Sequence, residues 1–516
     1  MKIALIIIDG FGIAPPGKGN CISLAKTPFY DSLLEKYPHT ELCASGNSVG
    51  LPQGAMGTSE VGHLHIGAGR TVWQPLALID AQIKNGGFYK NNILRGAIRS
   101  AKERKTALHL MGLCSDGQVH SSLNHLFALL ELGKKEGMEK VFIHFFADGR
   151  DVPEKSAKKY AEQIGKKTRE LGVGKIAGIC GRFYSMDRDN NYDRTQKAFE
   201  LLVLGKGFSA KNVFEAIDNA YARGDQTDYY IQPTAIMENG KPVAAINDGD
   251  TVIFFNTRTD RIRQLIKCFT EENFHHFARA KKPRVDFYSF VQTDETIPKD
   301  KCVPVFNPVE VKNTLGEVIA KAKLKQLRIA ETEKYAHVTY FFNSQVEAPN
   351  RNEERIVVPS KKVPVYDMAP EMSAQEITEK ACGQLAAKKF DFVVINYANP
   401  DLVGHSANIP AIIKAVEVVD DCLKKVCKTA LENGYTAMVT SDHGNAEEKL
   451  TPLGEKIPSH STNPVPFIIA SKDKKLEKTR LRKNGALSDI APTIIELFGL
   501  EKPKEMTGTP LTEKSR

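Results

Sequence analysis

The sequence has no CxxC pair, no internal repeat, no low-complexity tract and no long apolar run. Each absence closes off a class of protein. Nine cysteines, an odd number, are scattered along 516 residues. They read as reduced thiols in a cytoplasmic protein, not as a disulfide framework or a zinc ribbon. The start, MKIALIIIDGFG, places a lysine before an apolar stretch, but that stretch runs only from Ile3 to Ile8 and stops at Asp9. A signal peptide needs a longer one, and no segment approaches the ~18 apolar residues of a membrane span. A strong charge excess is also lacking. Lys and Arg number 71 against 62 Asp and Glu, a net +9, and they are spread along the chain. That balance suits an anionic small molecule and speaks against nucleic acid or a membrane as partner.

What is present is an ordinary globular composition, 41% apolar and 26% charged, long enough for two to four domains. Six unbroken apolar runs rich in β-branched residues stand out: 2–10, 140–149, 251–257, 391–401, 435–444 and 464–471. Without alternation they predict strands buried on both faces, the mark of parallel sheets covered by helices. Helical stretches lie between them. In 373–389, Ser373 with Glu376 three residues on predicts a capping box. In 487–500 a Ser/Asp start and a terminal Gly bracket a second helix. The alternation predicts an α/β chain with doubly wound sheets, whose ligands gather at the carboxyl ends of strands. Asp9, Asp148, Asp401 and Asp442 fall at such ends. Proline-containing stretches near 74–76 and 296–308 are the best boundaries. They predict residues 1–75 and 309–516 as one discontinuous domain, with 76–308 inserted into it and hinged there.

Four segments and a following histidine carry the chemistry. Asp9 ends the first run, and GTSEVGH (57–63) presents Ser59 between glycines. NPDLVGH (399–405) places Asp401 and His405 four apart, on one face of a helical turn. SDHGNAE (441–447) ends a run with Asp442 and His443, and His460 follows. Three carboxylates and three imidazoles without thiolate suit Mn²⁺ or Zn²⁺, and they fit two ions better than one. His39, His109 and His144 read as structural or surface histidines, Asp116 and Asp148 as turn formers, and His337 as core.

These segments, with SDGQVHSS (115–122), ADGRD (147–151), GRFYSMDRD (181–189), TRTDRIRQ (257–264), AETEKYAHVTYFFN (330–343) and YDMAPEMSA (366–374), resemble the cofactor-independent phosphoglycerate mutases of the alkaline phosphatase superfamily. The resemblance spans nearly the whole length in the same order. It implies an alkaline-phosphatase-like sheet with an inserted second α/β domain that handles substrate. It implies two manganese sites, with Zn²⁺ or Co²⁺ as substitutes: Asp401, His405 and His460 for one, Asp9, Asp442, His443 and Ser59 for the other. Ser59 would be the nucleophile. Arg150, Arg182, Arg188, Arg258, Arg261, His120, Asp151 and Lys334 would contact the substrate, and Asp151 would accept the proton of the glycerate hydroxyl. The implied reaction is exchange of 3-phosphoglycerate and 2-phosphoglycerate in glycolysis and gluconeogenesis, by a monomer, without 2,3-bisphosphoglycerate. Planar guanidinium groups match both phosphate and carboxylate. The segments 347–355 and 360–366 depart from the family wording, outside the metal motifs. A phosphomonoesterase of the same superfamily is the alternative. A sulfatase is disfavoured because Ser59 is followed by Glu60, Val61 and Gly62 instead of the formylglycine motif, and a catalytically dead metal scaffold would leave the full ligand set unexplained.

Overall fold

The computed structural model of the chain describes residues 1–293, 296–306 and 310–513. The chain divides into two compact units, Met1–Gln74 with Val309–Arg516, and Pro75–Pro308. The second expected boundary, at 308/309, lies outside the described residues.

The first unit is built on an eight-stranded sheet. Its order is Glu353–Val358, Gln326–Glu331, Phe392–Tyr397, Lys2–Ile8, Tyr435–Thr440, Val465–Ala470, His39–Cys43 and Gly485–Ala486. The central strand shows why its sequence is unbroken. Ala4, Ile6 and Ile8 pack on one face beneath the helix Ile409–Glu432, with Ile412, Val416 and Leu423. Ile3, Leu5 and Ile7 pack on the other, with Ile490 and Ile494 of the helix Ile490–Leu497. Strand residues alternate between faces, so two buried faces demand an apolar residue at every position.

All six apolar runs contain strands, but one differs from expectation. Val465–Ala470 pairs antiparallel with both Tyr435–Thr440 and His39–Cys43. An unbroken apolar run reports burial on both faces, and that burial does not require a parallel neighbour. The capping box at Ser373 is also not formed. Ser373 is the N-cap of the helix Ala374–Ala386 without a capping hydrogen bond, and its hydroxyl donates to the Pro359 carbonyl at 2.8 Å instead. A capping box does form at Thr314 and Glu317.

The second unit holds nine strands among the described residues. Eight run in the order Val303–Pro304, Asp286–Ser289, Thr251–Phe254, Leu108–Leu113, Val141–Ala147, Lys175–Gly181, Thr234–Glu238 and Phe208–Ala210. Chain order leads outward in opposite directions from Leu108–Leu113, through Val141–Ala147 on one side and Thr251–Phe254 on the other. That makes a topological switch point, where open α/β sheets bind ligands beyond the strand ends. Among the described residues no helix is long and apolar enough to cross a membrane, and the nine cysteines are free thiols.

Candidate active site

In the first unit the loops leaving parallel strands bring the sequence-flagged residues together. Asp9 follows Lys2–Ile8, Asp401 lies just beyond Phe392–Tyr397, Asp442 and His443 follow Tyr435–Thr440, and Lys334 lies just beyond Gln326–Glu331. Two glycines make the approach possible. Gly10 has φ +72°, and a Cβ there would lie 2.8 Å from Cα and Cβ of Asp401. A Cβ on Gly62 would lie 2.5 Å from the Asp442 carbonyl oxygen, so the helix Ser59–Ala68 can meet this loop only through glycine. Ser59 opens that helix. Thr58 caps it by accepting from the Val61 N–H at 3.4 Å, which leaves the positive end of the helix at Ser59.

Two ligand clusters result: Asp401, His405 and His460, and Asp9, Asp442 and His443. The potential ligand atoms of each lie within 4.8 Å of one another. In the first, Nε2 of His460 is 3.1 Å from Asp401 Oδ1 and 3.2 Å from Nε2 of His405. In the second, Nε2 of His443 is 3.5 Å from Asp9 Oδ1 and 3.6 Å from Asp442 Oδ2. Lys334 lies between the clusters and is almost fully buried. Its Nζ donates to Asp9 Oδ1 at 2.7 Å, to Asp401 Oδ2 at 2.6 Å and to Ser59 Oγ at 2.7 Å. Ser59 Oγ also lies 3.1 Å from Asp9 Oδ1 and 3.0 Å from Nε2 of His443.

The electrostatics follow from three buried carboxylates crowded together. Burial pushes the Lys334 ammonium down, but Asp401, Asp9 and Asp442 outweigh it and hold it above its ordinary range. Burial likewise opposes the charge on His443, yet Asp442, Asp401 and Asp9 raise it to about 10. Asp442 Oδ2 accepts no hydrogen bond among the described residues. Its neighbour His63 Nδ1, 3.2 Å away, is nearer the Ser59 carbonyl, at 2.9 Å. One ring N–H cannot serve both fully, so a buried carboxylate oxygen is left for a cation. Hard oxygen donors with imidazoles fit Mn²⁺, Zn²⁺ or Co²⁺.

The second unit collects the arginines. Arg182, buried at the end of Lys175–Gly181, donates from Nη1 to Asp148 Oδ1 at 2.7 Å and to Asp151 Oδ2 at 2.6 Å. Nε2 of His120 is 3.8 Å from Asp151 Oδ2, and the His120 carbonyl accepts from the Thr257 N–H at 2.7 Å, across the switch point. Arg188 and Arg258 share Asp260, at 2.6 and 2.9 Å. Among the described residues Arg261 donates only to the Met186 carbonyl, at 3.3 Å, and burial, then the like charges of Arg188 and Arg182, push its guanidinium down. Arg150 is exposed and has no carboxylate partner among the described residues. Burial and then Arg182 lower His120 to about 4.

Asp148 does more than turn the chain. It accepts from the N–H groups of Arg150 and Asp151, but it is buried and also anchors Arg182 and the Ser115 hydroxyl. Asp116 accepts from Lys159 and Tyr160. His337 is only half-buried, stacked on Phe341, because it caps the helix Thr332–Ala336 that carries Lys334 and begins the following helical turn, His337–Phe341. His39 is exposed on its strand, and the buried His109 is bonded to His144 and Asp250. Sequence reasoning missed His63, Asn396, which donates to Asp9 Oδ2 at 2.8 Å, and Asn445, which donates to Asp401 Oδ1 at 2.7 Å. His63 and Asn445 lie inside the quoted motifs and Asn396 in the apolar run 391–401, so the signal lay in those segments. Asp260 lies in a quoted motif too, hidden among the arginines of TRTDRIRQ.

A family profile described as the metalloenzyme superfamily matches residues 1–502. The 2,3-bisphosphoglycerate-independent phosphoglycerate mutase of Clostridium perfringens is 49% identical over 514 residues, 99% of either chain. That of Moorella thermoacetica is 49% identical over 513 residues, 99% of this chain and 98% of its own. A crystal structure of Leishmania mexicana phosphoglycerate mutase at low cobalt concentration is 30% identical, covers 99% of this chain and 97% of that one, and superposes with a TM-score of 0.60.

Proposed function

The chain belongs to the 2,3-bisphosphoglycerate-independent phosphoglycerate mutases and interconverts 3-phosphoglycerate and 2-phosphoglycerate, and on that premise we propose that Ser59 carries the phosphoryl group between the two hydroxyls. The observation that carries this reading is the surroundings of Ser59 Oγ. It lies at the start of a helix, 2.7 Å from a buried ammonium and 3.1 Å from a buried carboxylate. The ammonium and the helix end favour negative charge on that oxygen and on a phosphoryl group beside it. Asp9, whose Oδ1 lies 3.1 Å from that oxygen, can take its proton.

The donor sets support two divalent ions, Mn²⁺ with Zn²⁺ or Co²⁺ as substitutes, one held by Asp401, His405 and His460 and one by Asp9, Asp442 and His443 with Ser59. When bound, such ions lower the pKa of a coordinated hydroxyl and neutralise phosphoryl oxygens. In the first half-reaction the Ser59 Oγ–P bond forms, the P–O bond to glycerate breaks, and the departing oxygen takes up a proton. In the second half the other glycerate hydroxyl attacks the phosphoserine and gives its proton to Asp151, which Arg182 orients, while the Ser59 Oγ–P bond breaks and Ser59 Oγ takes back the proton it gave up. Arg150, Arg182, Arg188, Arg258, Arg261 and His120 bind the anionic groups of phosphoglycerate. The working unit in this reading is a cytoplasmic monomer, without nucleic acid or membrane.

The test is rapid acid quenching with phosphate-labelled 3-phosphoglycerate. Label should reside on Ser59 during turnover, and its absence under conditions of full turnover would count against a serine carrier.

A further inference from the structure

A second buried lysine lies behind the first ligand cluster, and the reaction proposed above does not use it. Lys449 is fully buried. Its Nζ donates to the Ser459 carbonyl at 3.0 Å, to the Gly404 carbonyl at 3.4 Å and to Oδ1 of Asn445. Three acceptors converge on one nitrogen, so the group is an ammonium with each hydrogen assigned. Each acceptor lies beside a ligand. Gly404 precedes His405 and Ser459 precedes His460, and the Asn445 amide, with its oxygen thus engaged, turns Nδ2 to Asp401 Oδ1 at 2.7 Å. Nδ1 of His405 closes the circuit onto the Pro458 carbonyl at 2.9 Å. The Lys449 backbone is itself pinned, its N–H donating to Gly19 O at 2.8 Å and its carbonyl accepting from the Ile457 N–H at 3.0 Å.

We propose that Lys449 is a positioning residue for the Asp401–His405–His460 ligand set: one ammonium fixes the backbone beside both histidines and, through Asn445, the carboxylate. Among the described residues no hydrogen bond of the Lys449 ammonium goes to Asp9, Asp442, His443 or their immediate neighbours, so the effect belongs to one cluster. A cation placed behind a metal site costs affinity by repulsion. For Lys449 to favour ion binding, fixed geometry must contribute more than that repulsion removes. Partners that orient metal ligands typically carry 10–100-fold in affinity.

The inference rests on the two-ion reading, so the experiment measures ions directly. Metal-stripped wild type and Lys449→Met are titrated with Mn²⁺ by calorimetry and by the paramagnetic signal of free Mn²⁺. The wild type should bind two ions. In the variant one affinity should fall about tenfold or more while the other stays within twofold, and excess Mn²⁺ should restore turnover. A purely structural lysine would lower both affinities together, or lower only the melting temperature. Either outcome overturns the proposal, as does tighter binding in the variant, which would make repulsion the main effect. If wild type binds two ions and the variant matches it, positioning fails and the two-ion reading stands. If wild type binds none, the two-ion reading fails, and the proposal with it. Should Lys449→Met not fold, Lys449→Arg is judged by the same criterion, since it keeps the charge but cannot serve three converging acceptors.

Discussion

Replacing Lys334 by methionine isolates what its charge does without opening a large cavity. In the metal-free protein the ammonium bridges Asp9 and Asp401, at 2.7 and 2.6 Å, closer to both than the imidazolium of His443, at 3.5 and 3.9 Å. Removing one partner of a buried ion pair costs about 3–5 kcal/mol, because the other charges stay buried and unbalanced. At roughly 2 °C per kcal/mol for a unit of this size, the metal-free variant should melt ~6–10 °C below wild type. Divalent ions would supply the missing charge, so saturating Mn²⁺ should raise the melting temperature more in Lys334→Met than in wild type and close most of the gap. Turnover should not recover with it, because Lys334 also donates to Ser59 Oγ. Scanning calorimetry of both proteins, with chelator and with Mn²⁺, reads all of this. A metal-free variant as stable as wild type would refute the charge argument, and so would equal Mn²⁺ shifts.

Ser59→Ala should keep its far-ultraviolet circular dichroism and melting cooperativity yet lose turnover; a wild-type rate would point to another nucleophile. Chelation should abolish activity and Mn²⁺ should restore it better than Mg²⁺, which binds imidazole poorly; full activity after stripping confirmed by elemental analysis would contradict this. His120 is lowered to about 4 by burial and Arg182, so between about pH 6.5 and 4 the unfolded chain binds the extra proton. Its contribution to stability is then complete above pH 6.5 and is lost as pH falls toward 4, by at most ~1.4 kcal/mol per pH unit. Urea titrations at pH 6.5 and 4.5 should show a smaller drop for His120→Asn than for wild type. Arg261→Ala should cut mutase turnover more than Arg258→Ala, and both should raise the ratio of free phosphate to 2-phosphoglycerate.

The strands that the sequence announced are those buried on both faces among apolar neighbours, such as Lys2–Ile8 and Phe392–Tyr397. Gln326–Glu331 is equally buried and was not legible, because Gln326, Arg328 and Glu331 interrupt its pattern. Arg328 is tolerated there because it donates to Gln326, faces the buried Glu353 carboxylate at 4.0 Å and lies over the rings of Phe342 and Phe392, and the carboxylate and both rings are distant in sequence. Lys175–Gly181 was hidden by its glycines, and Leu108–Leu113 by His109, whose ring is satisfied by Asp250 and His144. At the candidate site, residues on strand ends were legible because the turn that ends a strand has its own sequence signature. His63, Asn396 and Asn445 were not, since their roles depend on which oxygen they face. The ordering of the ligands into two sets came from the family resemblance; spacing alone left it open.

The expected difference between the two arginines follows from what each already holds. Arg258 is half exposed and paired with Asp260 through Nε at 2.9 Å and Nη2 at 3.3 Å. To bind an anionic ligand it exchanges one charge-assisted pair for another, and an exchange at a solvated pair changes little, about 0–1 kcal/mol. Arg261 is buried, bonded among the described residues only to a carbonyl, and surrounded by Arg188, Arg182 and Arg150. An anion reaching it gains a charge-assisted hydrogen bond worth about 1.5–3 kcal/mol and relieves repulsion among four cations. Truncating Arg261 should therefore cost one to two decades in kcat/KM, and truncating Arg258 less than one. The free-phosphate ratio tests a further step in the same logic. Glycerate left beside the phosphoserine has only its carboxylate and hydroxyls to be held by, so each lost guanidinium shortens its stay and gives water more time to attack. If both variants lose activity while the ratio stays constant, the arginines act on phosphoglycerate binding alone and do not retain the intermediate.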